Sequence, residues 1–299
     1  MEIKIAETCG LCGGCQRAFD IVIQKLQEGN NVTIFKEIVH NKNFNTILRA
    51  YGAVTKENLQ DLTSEELVIL RGHGEPPKTY EYLNNNQISY VDCTCPNVEN
   101  IHKAVEKYSG MGYDIVLLGK HKEKMHPEVE GIVGWVLTNT YLVQDQEDVD
   151  KLKNVKDKKL YLVCQTTFNM FLAEELIADI EKIAKQNNCE IVINKSLCSA
   201  QREINKSSQA LAKQVDFMIV IGGKNSSNSK ELFNNVSGIC PSIFIEDIYE
   251  YKNALQNANI TIKDDSVIGI TAGASTMKNE LLALQKLIEK DYRNKTEKK

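Results

Sequence analysis

No apolar run in this sequence approaches the length needed to cross a bilayer. The N-terminal Met-Glu-Ile-Lys-Ile-Ala also lacks the apolar core of a secretory signal, so the expected location is cytoplasmic. Positive charge is in short supply: 36 Lys and Arg against 40 Asp and Glu leave a formal net charge of -4. That balance gives no broad attraction to nucleic acid or to an acidic membrane, and neither is expected as a partner. An anionic ligand would need a specific site. No convincing internal repeat is present, although 299 residues with 42% hydrophobic side chains suit two or three modest domains. The charged C-terminal stretch from Asp291 reads as a frayed, solvated end.

What the chain has in excess is cysteine. Nine exceed ordinary packing needs, and a reducing compartment argues against a disulfide framework, leaving metal or redox chemistry as the leading explanation. Cys164, Cys189 and Cys240 fall on expected strands or loops and read as small buried apolar residues.

Short runs rich in β-branched residues recur between helical stretches: VTIFKEIVH, EELVILRGHG, YDIVLLG, KLYLVCQTT, EIVINKSLC, DFMIVIGG, SIFIED and SVIGITAG. This alternation predicts an α/β fold with largely parallel sheets. In such sheets ligands gather at the carboxyl ends of the strands. Three cysteines share one setting there. Cys12 precedes an amphipathic pattern carrying Ala18, Phe19, Val22, Ile23 and Leu26; Cys95 precedes Val98, Ile101 and Val105; Cys198 precedes Ser-Ala-Gln-Arg-Glu. At a helix start, unpaired amides and the positive end of the macrodipole favour thiolate over thiol. Their wide spacing suggests three lobes that each contribute one ligand.

Cys9, Cys12 and Cys15 also form a C-x2-C-x2-C run, which by itself suggests a local cluster or zinc site. The next cysteines, Cys93 and Cys95, lie in a separate strand-to-helix junction. Cys9 and Cys15 therefore read better as small residues near one ligand, Cys12.

Three of the five histidines end strands or loops: His40 in Glu-Ile-Val-His-Asn, His73 in Arg-Gly-His-Gly and His126 in His-Pro-Glu-Val-Glu-Gly. Such repetition points to a shared anion site. Glu128 becomes a proton donor if burial raises its pKa, and is otherwise a solvated carboxylate. The run Asn225 to Ser229, including Ser226, Ser227 and Asn228, and the turn around Ser275 offer hydroxyl, amide and backbone donors. Such groups cradle phosphate without a large positive charge, although each run alone also reads as a polar loop or helix cap. Gln165-Thr166-Thr167 adds polar groups after a third strand.

Taken in order, GLCGGCQRA, EIVHN, RGHG, DCTCP with NVENIH, HPEVEG, QTT, LCSA, GGKNSSNS and GITAGAS resemble the hydroxymethylbutenyl diphosphate reductase (LytB) family. The resemblance implies three α/β lobes arranged pseudo-threefold around a central iron–sulfur cluster. Their expected extents are residues 1–96, 97–194 and 195–299. It also implies a [4Fe-4S] cluster held by Cys12, Cys95 and Cys198, with one iron left open to the substrate's allylic hydroxyl. By that likeness Glu128, with His126 and Thr166 or Thr167, would supply protons. His40, His73, His126, Ser226, Ser227, Asn228 and Ser275 would hold the diphosphate. An external donor such as ferredoxin or flavodoxin would supply electrons for reductive removal of the hydroxyl, giving isopentenyl and dimethylallyl diphosphate.

The chain departs from the family pattern in places. Cys15 and Cys93 replace usually apolar residues, Ala200-Gln201 replaces Ala-Thr, Ile204-Asn205 stands where Arg-Gln is common, and Met277 replaces proline. The stretch from Gly119 to His126 is longer than usual. These changes leave two alternatives open: a paralogue acting on another allylic or unsaturated substrate, and a non-catalytic metal or redox sensor built on Cys9, Cys12 and Cys15.

Overall fold

The computed structural model describes residues 1–296. In chain order the elements begin β1 (Glu2–Ile5), α1 (Gly13–Gln27), β2 (Val32–Phe35), α2 (Lys42–Ala50), β3 (Val54–Lys56), β4 (Leu67–Leu70), α3 (Pro77–Asn85) and β5 (Tyr90–Asp92). Next come α4 (Pro96–Gly110), β6 (Asp114–Leu118), α5 (Pro127–Gly134), β7 (Thr140–Val143), α6 (Gln146–Lys151), β8 (Lys159–Cys164), α7 (Met170–Gln186) and β9 (Glu190–Asn194). The chain ends with α8 (Ser199–Ala212), β10 (Phe217–Ile221), α9 (Ser227–Ser237), β11 (Ser242–Ile245), α10 (Tyr251–Asn257), β12 (Val267–Ala272) and α11 (Lys278–Thr296).

These strands form three four-stranded parallel sheets, ordered β1-β12-β10-β11, β3-β2-β4-β5 and β7-β6-β8-β9. The expected α/β architecture with three parallel-sheet lobes is thus present. All eight β-branched runs became strands. The other four, β1, β3, β5 and β7, all lie at sheet edges, where exposure on one side removes the continuous apolar signature. Central strands such as β6 and β10 are buried at every residue, as parallel layers covered on both faces require.

Two compact units are distinguishable. One comprises Met1–Phe19, Val39–Tyr51 and the chain from Ser199 onward, and contains the sheet that includes β1 and β12. Its cores flank that sheet, with Ile219, Ile221, Ile270 and Leu284 on one side and Met218, Val220, Leu232 and Val236 on the other. The second unit comprises Asp20–Ile38 and Gly52–Cys198, and contains the other two sheets. Val116, Leu118, Leu162 and Ile177 fill one core there, and Ile101, Ile115, Val129 and Val163 another. Each such side chain contributes roughly 1.5–3 kcal/mol by leaving water, which keeps the strand ends and their loops in fixed places.

The expected fraying from Asp291 is replaced by helix: α11 runs through Thr296. Tyr251 and Lys252 both bond the Asp291 carboxylate, anchoring that last stretch. Residues 297–299 of the expected solvated end lie outside the described residues. Among the described residues no helix is long and apolar enough to cross a membrane.

Candidate active site

Each of the three singled-out cysteines stands at a helix start. Cys12 immediately precedes α1, Cys95 is the N-cap of α4, and Cys198 immediately precedes α8. All nine cysteines are free thiols. Within the first unit, the Cys12 amide donates to the Ala274 carbonyl at 2.9 Å, which fixes the turn. The Cys12 sulfur accepts the Cys15 amide at 3.5 Å. A hydrogen bond from the Cys15 thiol, opposed by burial, brings the Cys12 pKa down to about 6. Cys9 behaves differently. Its thiol donates to the Ala6 carbonyl at 3.2 Å, it packs against both cores of that unit, and burial pushes its pKa up to about 11. A thiol held protonated in a core is poorly suited to join Cys12 and Cys15 in a local metal site. Cys164 likewise lies in a core, with its pKa pushed up to about 12 by burial, while Cys189 and Cys240 pack at the margins of cores.

The second unit joins several expected site residues through a chain of contacts. Glu128 sits in the first turn of α5, 2% exposed. Its carboxylate accepts the Thr166 amide at 2.6 Å and the Thr166 hydroxyl at 2.9 Å. Burial outweighs those two bonds and raises its pKa to about 7, so Glu128 is a buried acid that can exist protonated near neutrality. The Thr166 carbonyl accepts the Cys198 amide at 2.8 Å. Asn97, in the first turn of α4, donates to the Cys198 sulfur at 3.7 Å, and the Cys95 amide donates to the Gly72 carbonyl at 3.0 Å. The acid, the Thr166 hydroxyl and Cys198 are therefore linked at strand ends, and Asn97 ties the helix start that carries Cys95 to Cys198. Thr167 is placed differently from Thr166: its hydroxyl accepts from the Gln165 side-chain Nε2 at 2.9 Å.

His126 caps α5, its Nδ1 accepting the Glu128 amide at 3.2 Å. An accepting Nδ1 puts the proton of the neutral ring on Nε2, leaving that nitrogen as a donor. The His73 ring meets the His126 ring edge-on, centroids 5.5 Å apart. The turn that carries His73 is held from several sides. Arg71 and Glu75 form a buried ion pair at 2.6 Å, and the Trp135 indole donates to the Glu75 carbonyl at 3.0 Å. Gly74 has φ +77 and abuts His102 so closely that a β-carbon would collide with the ring. His102 is 4% exposed, stacks on Trp135, and is pushed down to about 4 by burial.

The first unit assembles the polar cradle. Ser226 is the N-cap of α9, accepting the Ser229 amide at 3.3 Å; Ser227 and Asn228 open that helix. The Asn228 Oδ1 is buried and has no partner among the described residues. Gly223 packs against the His40 carbonyl with no space for a β-carbon, which brings the His40 turn against the strand end before Ser226. Asn41 then ties His40 to Ser275. Its Oδ1 caps α2 by accepting the Phe44 amide at 3.1 Å, while its Nδ2 donates to the Ser275 carbonyl at 3.0 Å. His40, Ser226 and Ser275 thus converge within one unit, beside the N-terminus of α9, whose first-turn amides and hydroxyl cap are groups of the kind that bind anions.

Sequence reasoning did not assign roles to Asn41, Glu75, Asn97, His102 or Trp135. Asn41, Glu75, Asn97 and His102 stand inside or directly beside the quoted motifs, and that adjacency was the available signal. Trp135 gave none, since its contact is to a backbone carbonyl distant in sequence.

The class defined by this fold and site is an α/β protein of three parallel sheets with thiols at helix starts, a buried acid and a polar cluster around His40, Ser226 and Ser275. A family model described as LytB protein matches residues 3–289, and the chain belongs to that family. It is 35% identical over 277 residues to 4-hydroxy-3-methylbut-2-enyl diphosphate reductase of Clostridioides difficile (strain 630), covering 92% of this chain and 95% of that one. The same-named protein of Helicobacter pylori (strain P12) is 34% identical over 278 residues, covering 92% and 94%. Among solved structures, the E-1-hydroxy-2-methyl-but-2-enyl-4-diphosphate reductase of Plasmodium falciparum superposes with a TM-score of 0.83 at 26% identity, covering 96% of this chain and 87% of that one. A second, (E)-4-hydroxy-3-methyl-but-2-enyl diphosphate reductase, described as the terminal enzyme of the non-mevalonate pathway, gives 0.71 at 29% identity, covering 97% and 100%.

Proposed function

We propose that this chain reduces 4-hydroxy-3-methylbut-2-enyl diphosphate to isopentenyl and dimethylallyl diphosphate. The observation that carries this reading is the buried Glu128, held by Thr166, whose backbone in turn holds Cys198. The reaction adds two electrons and two protons to the alcohol, breaks its C–O bond and releases water. It therefore needs an acid placed beside an electron source, in a site able to hold a diphosphate.

Cys12, Cys95 and Cys198 would be the thiolate ligands of a [4Fe-4S] cluster. Their chemistry fits that group: none is in a disulfide, each stands at a helix start, and the Cys12 sulfur is already poised as thiolate. When bound, the cluster supplies Lewis acidity at an iron without a protein ligand and relays electrons from an external donor of the ferredoxin or flavodoxin kind. The protein's part is proton supply and orientation. Protonated Glu128 delivers a proton towards the leaving hydroxyl, with the Thr166 hydroxyl bonded to its second oxygen as orienting group. Thr167 is a further hydroxyl beside that relay. The Nε2 donor of His126 and the neighbouring His73 ring bind substrate oxygens. His40, Ser226, Ser227, Asn228 and Ser275 hold the diphosphate through uncharged donors and helix amides.

Anaerobically prepared, cluster-loaded protein with a strong reductant should consume the diphosphate and form both isomeric products. A fully loaded sample without turnover would contradict the assignment. Gln201 favours a second reading within the family: both amide atoms are buried without a partner among the described residues, where family members commonly carry threonine. On that reading the substrate is a different allylic or unsaturated compound. Comparing turnover of allylic alcohols with and without a diphosphate separates the two.

A further inference from the structure

Cys15 lies outside the proposed ligand set, and it is not idle. It stands three residues after Cys12 in the first turn of α1, its amide 3.5 Å from the Cys12 sulfur and its thiol hydrogen-bonded to that sulfur. Both side chains are partly exposed and Gly13 between them is exposed, so a small reagent can reach the pair. The preceding turn is pinned by the Gly10 amide to Ala272 and the Cys12 amide to Ala274. Cys9, the other nearby thiol, is occupied with the Ala6 carbonyl and packs into the cores.

We propose that Cys12 and Cys15 form a reversible disulfide in the cluster-free chain. A low-molecular-weight disulfide is the oxidant. Cys12 thiolate attacks one of its sulfurs, forming a mixed disulfide and expelling one thiolate. Cys15 then attacks the Cys12 sulfur, closes the intramolecular bond and expels the second thiolate. The protein loses two electrons and two protons, and the small disulfide becomes two thiols. The ring closed is short, so the bond gains little from chain entropy and remains open to reduction. Its consequence for the proposed function is that a chain that has lost its cluster keeps its Cys12 sulfur from irreversible oxidation, and reloads only after reduction.

The test is thiol mapping of the full-length, cluster-free protein after treatment with oxidised glutathione. The peptide containing Cys12 and Cys15 should lack two hydrogens, regain them with dithiothreitol, and carry no glutathione, while Cys15→Ala should end with glutathione attached to Cys12. Iron and sulfide uptake by the oxidised wild type should fall at least tenfold and recover on reduction. A stable mixed disulfide in the wild type, pairing of Cys12 with Cys9, or unchanged uptake by the mapped disulfide form would overturn the proposal. The mapping requires neither cluster nor turnover, so its outcome is separable from failure of the reductase assignment.

Discussion

On the proposed reading the two units do different chemical work, and the contrast lies between the Glu128 relay of the second and the polar cradle of the first. In the second unit, the linked residues are a carboxyl with its pKa raised to about 7, a hydroxyl on that carboxyl, and Cys198, whose amide bonds the Thr166 carbonyl. In the first, the cradle around His40, Ser226 and Ser275 is held together by a carboxamide, backbone carbonyls and close glycine packing. Burying a titratable acid costs stability, which is tolerated where a proton must move. Neutral donors bind an anion without that cost. Substitution of Glu128 should therefore act on the chemical step, and substitution within the cradle on binding.

Glu128→Gln gives the largest expected effect, a fall in kcat of roughly 10²–10⁴, with KM changed little. A steady-state measurement showing KM raised instead would erase the contrast. The same acid sets a pH dependence. On the proposed mechanism the protonated form is the competent one, so kcat should decline as pH rises through about 7, and the residual activity of Glu128→Gln should lack that inflection.

Stability sharpens the comparison next. A carboxyl with a raised folded pKa favours the native state below its unfolded value, and that contribution is lost as pH rises towards 7. At pH 8 the full cost of the buried charge is carried, so Glu128→Gln should raise unfolding free energy by about 3 kcal/mol, an advantage that disappears in acid. Denaturant titrations at both pH values would show it. His102 has the opposite sign: its lowered pKa means stability present above its unfolded value near 6.5 and lost as pH falls towards 4.

The smallest effect belongs to the cradle. Asn41→Ser keeps an oxygen to cap α2 but removes the donor to the Ser275 carbonyl. KM should rise about tenfold, equivalent to ~1.4 kcal/mol, with kcat within about twofold. A comparable drop in kcat would mean that the cradle shapes the reacting end as well.

Much of this was readable before any coordinates. The eight strands that the β-branched runs marked carry most of the buried interior, and helices followed Cys12, Cys95 and Cys198 because those cysteines separate polar turns from amphipathic periodicity. Four of the six edge strands escaped notice: β3 and β5, for example, have three residues each and none fully buried, so composition hardly distinguishes them from loop. The proton-donor role of Glu128 depended on burial, which no local pattern reveals, because the Thr166 backbone that covers its carboxylate is 38 residues away. Asn41 illustrates the same limit. Its capping role is local and legible, whereas its bond to Ser275 spans 234 residues and exists only once the sheet has formed.

Mössbauer spectroscopy of isotopically enriched, anaerobically prepared wild type beside Cys9→Ser, Cys95→Ser and Cys198→Ser reaches the central claim most directly. The account predicts a [4Fe-4S] signal in wild type and Cys9→Ser, with one iron changing its parameters when the allylic diphosphate is added, and loss of the cluster in the other two variants. Retention of metal by Cys95→Ser and Cys198→Ser, together with its loss from Cys9→Ser, would contradict it.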